Sequence, residues 1–233
     1  MSSVVQEVLD GLARVPTGIL ADVLSEMGFQ RQVVTQALRP VVGTPRFVGS
    51  AICVAGREDH DAKLISGPLP TMFDVDELVA PGTVVVVDAG DHRHGAVIGG
   101  LVGLAFKRAG AVGFITDGGV RDVDELAEMG LPCITRFVTP GSVKGRWSVI
   151  AVDQPITLPA QGGGKVTIAP GDIVSADADG VVVIPSALGA DVLSDALQVE
   201  RAEAAILSAI KQGHDRREAF GANDRFGHIR KRA

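Results

Sequence analysis

Apolar positions change their period along the chain. Residues 4 to 14 read as a helix, and after Pro16-Thr17 a second one carries Leu20, Val23, Leu24 and Met27 at helical spacing, with Gly28 as its stop. Val33 to Arg46 shows no period, and Phe47 to Ala55 then reads as a buried strand that Gly56 closes. Gly67-Pro68-Leu69-Pro70 punctuates the stretch after Asp61 too heavily for a regular element, whether it is a connector or a loop over a site. The unbroken run Thr83 to Asp88 reads as a central strand leaving through Ala89-Gly90-Asp91.

Leu101 to Ala109 follows as a helix with Leu101, Leu104 and Ala105 on one side, Lys107-Arg108 near the negative end of its dipole and Gly110 as its cap. Val112 to Thr116 is the next strand, Val123 to Met129 the next helix with Gly130 as its stop, and Pro132 to Val138 a further strand. This β-α-β-α-β succession implies right-handed, parallel crossovers. Beyond it the segments shorten: Val166 to Ile168, Ile173 to Ala176 and Val181 to Ile184 are joined by tight turns and predict an added β layer. Ser186 to Lys211 returns to helical spacing through Val192, Leu193, Ala196, Val199, Ala202, Ile206 and Ile210. The polar tail after Gly213 is free to reach a neighbouring subunit. We read residues 1–233 as one α/β domain, with a helical N-terminal segment 1–30, a core 31–185, and a C-terminal helix and tail 186–233.

Composition narrows the function classes. With 46% hydrophobic and 21% charged residues, the 233-residue chain is globular rather than disordered. It has no Tyr, one Trp and eight Phe, and a formal net charge of -6, which together make nucleic acid a poor default partner. Cys53 and Cys133 form no metal or redox spacing and fit buried thiols in a reducing compartment. Met1 to Glu7 reads as neither a basic leader nor an apolar signal core, and the uncharged stretch Gly95 to Phe106 is far short of the roughly 20 residues needed to span a bilayer. A cytoplasmic protein without membrane contact is expected.

Candidate chemistry concentrates after the Val112 strand, in Asp117-Gly118-Gly119-Val120-Arg121-Asp122. Arg121 offers a planar fork for a carboxylate. Asp122 offers a hard oxygen ligand for Mg²⁺ or Mn²⁺, and one protein carboxylate suffices when waters and substrate oxygens complete the shell. The same pair also fits an internal contact at a helix start, with Asp122 as N-cap. Gly99-Gly100-Leu101-Val102 stands at another helix start, where unpaired N–H groups can receive substrate oxygens, although tight helix-sheet packing also explains two glycines. His92 and His94 match no complete zinc site. Asp88 and Asp91 read as strand-end and turn carboxylates. Nucleophile-elbow, Walker and dinucleotide fingerprints are absent from the sequence.

With Gly110-Ala111-Val112-Gly113, Val123-Asp124-Glu125-Leu126 and Ala178-Asp179-Gly180-Val181-Val182-Val183-Ile184-Pro185 added to these motifs, the chain from about Val15 to Gly213 resembles the RraA-like family. That family includes the regulator of ribonuclease activity A and the class II 4-hydroxy-4-methyl-2-oxoglutarate aldolases, which are also oxaloacetate decarboxylases. The resemblance implies a β/β/α swivelling-domain fold assembled as a homotrimer or a dimer of trimers, with active sites between subunits. It implies that Arg121 binds a pyruvyl carboxylate, that Asp122 holds the divalent metal, and that Gly99, Gly100, Leu101 and Val102 line the substrate site. It implies too that a C-terminal-helix glutamate of the adjacent subunit assists through water, with Glu203 the nearest match and Glu200 its rival. The expected activity is a metal-dependent lyase cleaving the C3–C4 bond of a small 2-oxo acid to release pyruvate. One departure is Gly100, where the aldolases commonly carry an acid that orders metal-bound water, a role the Asp91-His92-Arg93-His94 run is a candidate to take over. A protein-binding regulator of ribonuclease activity, or a related lyase for a different oxo or hydroxy acid, are the competing readings.

Overall fold

The computed structural model describes residues 3–43 and 46–232, so residues 44 and 45 of the stretch expected to be irregular lie outside it. Helices α1 (Ser3–Leu12) and α2 (Thr17–Glu26) form where the spacing places them, and Gly28 follows at φ +102°. Pro16 gives α2 no side-chain cap. Asp177, from a distant turn, accepts hydrogen bonds from the Thr17 N–H (2.9 Å) and hydroxyl (2.6 Å) instead.

After the two-residue β1 (Arg39–Pro40), strand β2 (Phe47–Glu58) runs three residues past its expected stop. Gly56 is a bulge rather than a terminus: the register shifts between Ala55 and Gly56, and a Cβ there would overlap the Trp147 ring. The punctuated stretch holds two short helical turns, α3 (Asp59–Ala62) and α4 (Met72–Asp76).

Strand β3 (Thr83–Asp88) is buried along its whole length and stands mid-sheet. Then come β4 (Ala96–Ile98), α5 (Gly100–Ala109), β5 (Gly113–Thr116), β6 (Gly119–Val120), α6 (Val123–Glu128), β7 (Cys133–Thr135) and β8 (Phe137–Val138). Strands β3, β5 and β7 pair in parallel, as expected of consecutive crossovers. Strands β4, β6 and β8 form a second, three-stranded parallel sheet beyond them. The expected single strand over Pro132 to Val138 is thus two strands in two sheets, interrupted at Arg136.

Helix α5 also turns the opposite face inward from the one its leucines suggest. Gly100, Gly103 and Phe106 are buried, while Leu101, Leu104 and Ala105 face outward, Leu101 at 86% exposure. A Cβ on Gly103 would overlap the Leu126 side chain, so α5 presses on α6 along its glycine face.

Strands β9 (Trp147–Val152), β10 (Ile156–Pro159), β11 (Lys165–Ile168), β12 (Ile173–Ala176) and β13 (Val181–Ile184) complete the β structure. The β10–β11 hairpin is the added layer; its Ile156, Leu158, Val166 and Ile168 pack with Ala51, Cys53, Val84 and Val86 from one face of the main sheet. Strands β12 and β13 extend that sheet beyond β2, giving the order β1-β7-β5-β3-β2-β12-β13, with β9 also paired to β2. Val54 and Ala55 pair with both β3 and β9, so β9 uses the edge of β2 that β12 occupies from Phe47 to Ser50. The other face packs Val85, Val87, Phe106 and Phe114.

A 3₁₀ turn over Ser186–Leu188 leads into α7 (Gly189–Lys211), which buries Val192, Ala196, Val199 and Ile206 but leaves Ile210 exposed near its end. The tail carries α8 (Arg216–Gly221) and packs in part on its own chain. Phe226 and Ile229 pack with the α1–α2–α7 cluster, Arg232 N–H donates to Met27 O (2.8 Å), and its guanidinium pairs with Asp191 (2.9 Å). These two apolar residues anchor a segment that otherwise reads as polar. Burial pushes the Cys53 and Cys133 thiols up to about 12, as befits inert core residues. The molecule has an α/β swivelling-domain fold with a central β-α-β-α-β unit, an added β layer and a long C-terminal helix.

Candidate active site

The small parallel sheet delivers the site. Arg121 N–H donates to Ile98 O (3.1 Å), so the chain leaving β6 passes the end of β4 just before α5 begins. Asp122 then adopts φ +57°, a left-handed conformation that costs a non-glycine residue on the order of 1 kcal/mol. Its carboxylate makes no side-chain cap on α6, which it precedes; Oδ2 instead accepts the Gly100 N–H at 2.9 Å and so caps α5. Arg121 Nε lies 3.5 Å from the same Oδ2. Both side chains remain open to solvent, at 42% and 38% exposure.

The glycines serve this approach. A Cβ on Gly99 would stand 2.6 Å from Asp122 Oδ2 and 2.9 Å from Arg121 Nε, so those side chains would have to shift from their present places. A Cβ on Gly100 would overlap Glu125 Oε2. The glycine pair therefore makes room for site side chains rather than for the sheet. Glu125 escaped sequence reasoning as a site residue, and its spacing three residues after Asp122 in the first turn of α6 was the available signal.

Neighbouring candidates are committed elsewhere. Asp117 is buried and accepts the Ala89 N–H (2.6 Å), fixing the exit of β3; burial raises its pKa, with Asp88 adding to the effect. His92 is buried with Nδ1 2.5 Å from Glu58 Oε1, and its ring meets that of the exposed His94 edge-on, 5.9 Å between centroids. Asp88 pairs with Arg57 (3.1 Å), and Asp91 with Arg93 (2.8 Å) and Arg136 (2.6 Å). The Arg93 hydrogen bond, first among the causes, holds Asp91 below the usual carboxylate range. No side-chain bond joins the 91–94 run to Arg121 or Asp122 among the described residues.

Glu203 does not meet Arg121 or Asp122 within the described residues of this chain. It pairs with Arg225 Nη1 at 2.6 Å, and that guanidinium lies over the Phe220 and Phe226 rings, 5.5 Å and 4.5 Å from their centroids. Glu200 and Glu203 share a cavity of about 510 Å³ with Arg216, Phe220 and Arg225. Asp22 faces the same group; burial raises its pKa, Arg225 opposes this, and Glu203 and Glu26 reinforce it. A larger cavity, about 730 Å³, is lined by Glu58, Asp59, His60, Lys63, His94 and Arg146. Neither cavity is lined by Arg121 or Asp122, which form an open shelf.

Among the described residues no group of three or more His, Cys, Asp or Glu forms a metal cage. A hard cation that keeps most of its waters needs no such cage. Asp122 fits it: the shelf is open, and the bonds to Gly100 and Arg121 both use Oδ2, leaving Oδ1 outside them.

Comparison with known proteins agrees with this architecture. A putative 4-hydroxy-4-methyl-2-oxoglutarate aldolase from Halalkalibacterium halodurans is 29% identical over 182 residues, covering 78% of each chain. The crystal structure of an uncharacterised protein from Pseudomonas syringae pv. tomato superposes with a TM-score of 0.77 at 28% identity, over 92% of this chain and 96% of that one. Streptomyces coelicolor RraAS2, described as an unusual member of the RNase ES inhibitor RraA protein family, gives a TM-score of 0.74 at 27% identity, over 84% and 93% of the two chains. The profile of the RraA-like family, described as Aldolase/RraA, matches residues 17–183, and with the glycine-bordered Arg-Asp shelf inside that span the chain belongs to this family.

Proposed function

We propose that the chain is a divalent-metal-dependent lyase cleaving the C3–C4 bond of a 2-oxo acid to release pyruvate, of the 4-hydroxy-4-methyl-2-oxoglutarate aldolase or oxaloacetate decarboxylase type. The observation that carries this reading is the adjacency of a guanidinium and a carboxylate, both solvent-open, against the first N–H of α5. The description of the H. halodurans relative supports the same chemistry.

Arg121 receives the pyruvyl carboxylate through its fork. The Leu101 and Val102 N–H groups precede the first intrahelical bond, Gly103 N–H to Gly99 O at 2.9 Å, and are placed to receive further substrate oxygens. A Mg²⁺ or Mn²⁺ ion held at Asp122 supplies, when bound, Lewis-acid stabilisation of the charge developing on the 2-oxo oxygen. As the C3–C4 bond breaks, its electron pair enters the pyruvyl unit as an enolate, C4 leaves as carbon dioxide from oxaloacetate or as a ketone once its hydroxyl has lost a proton to water, and protonation at C3 gives pyruvate. Glu203 of a neighbouring copy moves that proton through a water, which fits its separation from Arg121 within one chain. The working assembly is a homotrimer or dimer of trimers.

The test is pyruvate release from a panel of 2-oxo acids headed by oxaloacetate and 4-hydroxy-4-methyl-2-oxoglutarate, with Mg²⁺, with Mn²⁺ and after chelation. Metal-dependent release supports the reading. Absence of release across the panel, with a ribonuclease complex copurifying, would transfer the protein to the regulator class named for the Streptomyces relative.

A further inference from the structure

We infer that Glu125 is a second acidic arm of the metal site, and that Gly100 lacks a side chain so that this arm can reach it. The inference rests on the assignment of the ion to Asp122. It starts from a steric fact: a Cβ placed on Gly100 would overlap Glu125 Oε2. The Cβ position itself is 3.5 Å from Asp122 Cβ, an ordinary contact distance. Two carboxylate-bearing side chains therefore converge on one bare backbone position at the start of α5, one from the residue before α6 and one from its first turn. The Asp122 carboxylate is anchored there by the Gly100 N–H (2.9 Å). No hydrogen bond or ion pair holds the Glu125 carboxylate among the described residues, although Arg121 stands beside the same shelf.

Arg121 offsets one of the two carboxylates, so the shelf keeps a net negative charge that is unfavourable in isolation. A divalent ion with its waters reverses the sign, since hard cations take one or two protein carboxylates and fill the remaining positions with water and substrate oxygens. Glu125 then holds the ion's water shell beside Asp122 as a positioning residue. The geometry makes Gly100 part of the device. An alanine methyl there is compatible with Asp122 and incompatible with the present place of Glu125.

The experiment is a double-mutant cycle read by binding of Mn²⁺ alone to the full chain, using calorimetry or the loss of the free-ion resonance signal. Glu125→Gln should weaken Mn²⁺ binding about tenfold, the low end of what loss of an outer partner of a metal ligand costs. Gly100→Ala, which displaces Glu125 and favours helix formation, should weaken it similarly, and the double variant should be no weaker than either single one. Additive losses, or an unchanged Kd in Glu125→Gln, overturn the inference. Asp122→Ala separates the two levels. If it abolishes Mn²⁺ binding while Glu125→Gln does not weaken it, only the role of Glu125 falls; if Asp122→Ala binds Mn²⁺ normally, the metal assignment falls with it.

Discussion

At the residue scale, the site depends on one fork and one carboxylate that cannot be exchanged for near relatives. Arg121→Lys keeps the charge but loses paired donation, a difference of roughly 1.5–3 kcal/mol for a charge-assisted contact. It should lower kcat/KM for the 2-oxo acid roughly tenfold to a hundredfold with the melting temperature unchanged, since the side chain is solvent-open. Unchanged kinetics would remove Arg121 from substrate binding. Asp122→Ala should abolish metal-dependent turnover, and activity that survives both this change and chelation would contradict the metal assignment. The adjacency of these two residues was legible in the sequence because they are consecutive. Their meeting with Gly100 was not, because it requires two helix starts to converge, with Asp122 in a left-handed conformation that places its carboxylate against the neighbouring helix.

At the element scale, α2 owes its start to Asp177 rather than to a cap of its own. Burial alone would raise the Asp177 pKa, but hydrogen bonds from Thr17 bring it below the ordinary carboxylate value. Its stabilising contribution is therefore complete above the unfolded value of about 3.9 and is lost as pH falls through the lower folded value. Asp177→Ala should cost about 1 kcal/mol near pH 7, the solvent-screened range for a cap, and denaturant titrations should show the gap to wild type narrowing below about pH 4. A pH-independent gap would overturn this account. Continuous valine made β3 readable, and helical spacing did the same for α2 and α7. The second sheet was hidden because β4, β6 and β8 are three, two and two residues long, too short to display a period. The inward face of α5 was hidden because its glycines, invisible on a hydrophobicity count, permit the closest packing.

At the scale of the whole molecule, the outward Leu101 and Leu104 lie on the helix whose first residues form the candidate site. A site completed between copies would cover them. Leu101→Glu should shift the species seen by light scattering to a smaller mass and reduce turnover with it; a monomeric wild type with full activity would contradict the assembly. The divided edge of β2 bears on biosynthesis. Residues 47–50 pair with β12 and residues 54–58 with β9, and of these only Ser50, Val54 and Ala55 pair with β3 as well. On a ribosome, the sheet's longest strand must therefore emerge and wait half-zipped, its backbone donors and acceptors bare, until residues 173–176 have been made. Truncated products that stop short of that point inherit an adhesive ribbon.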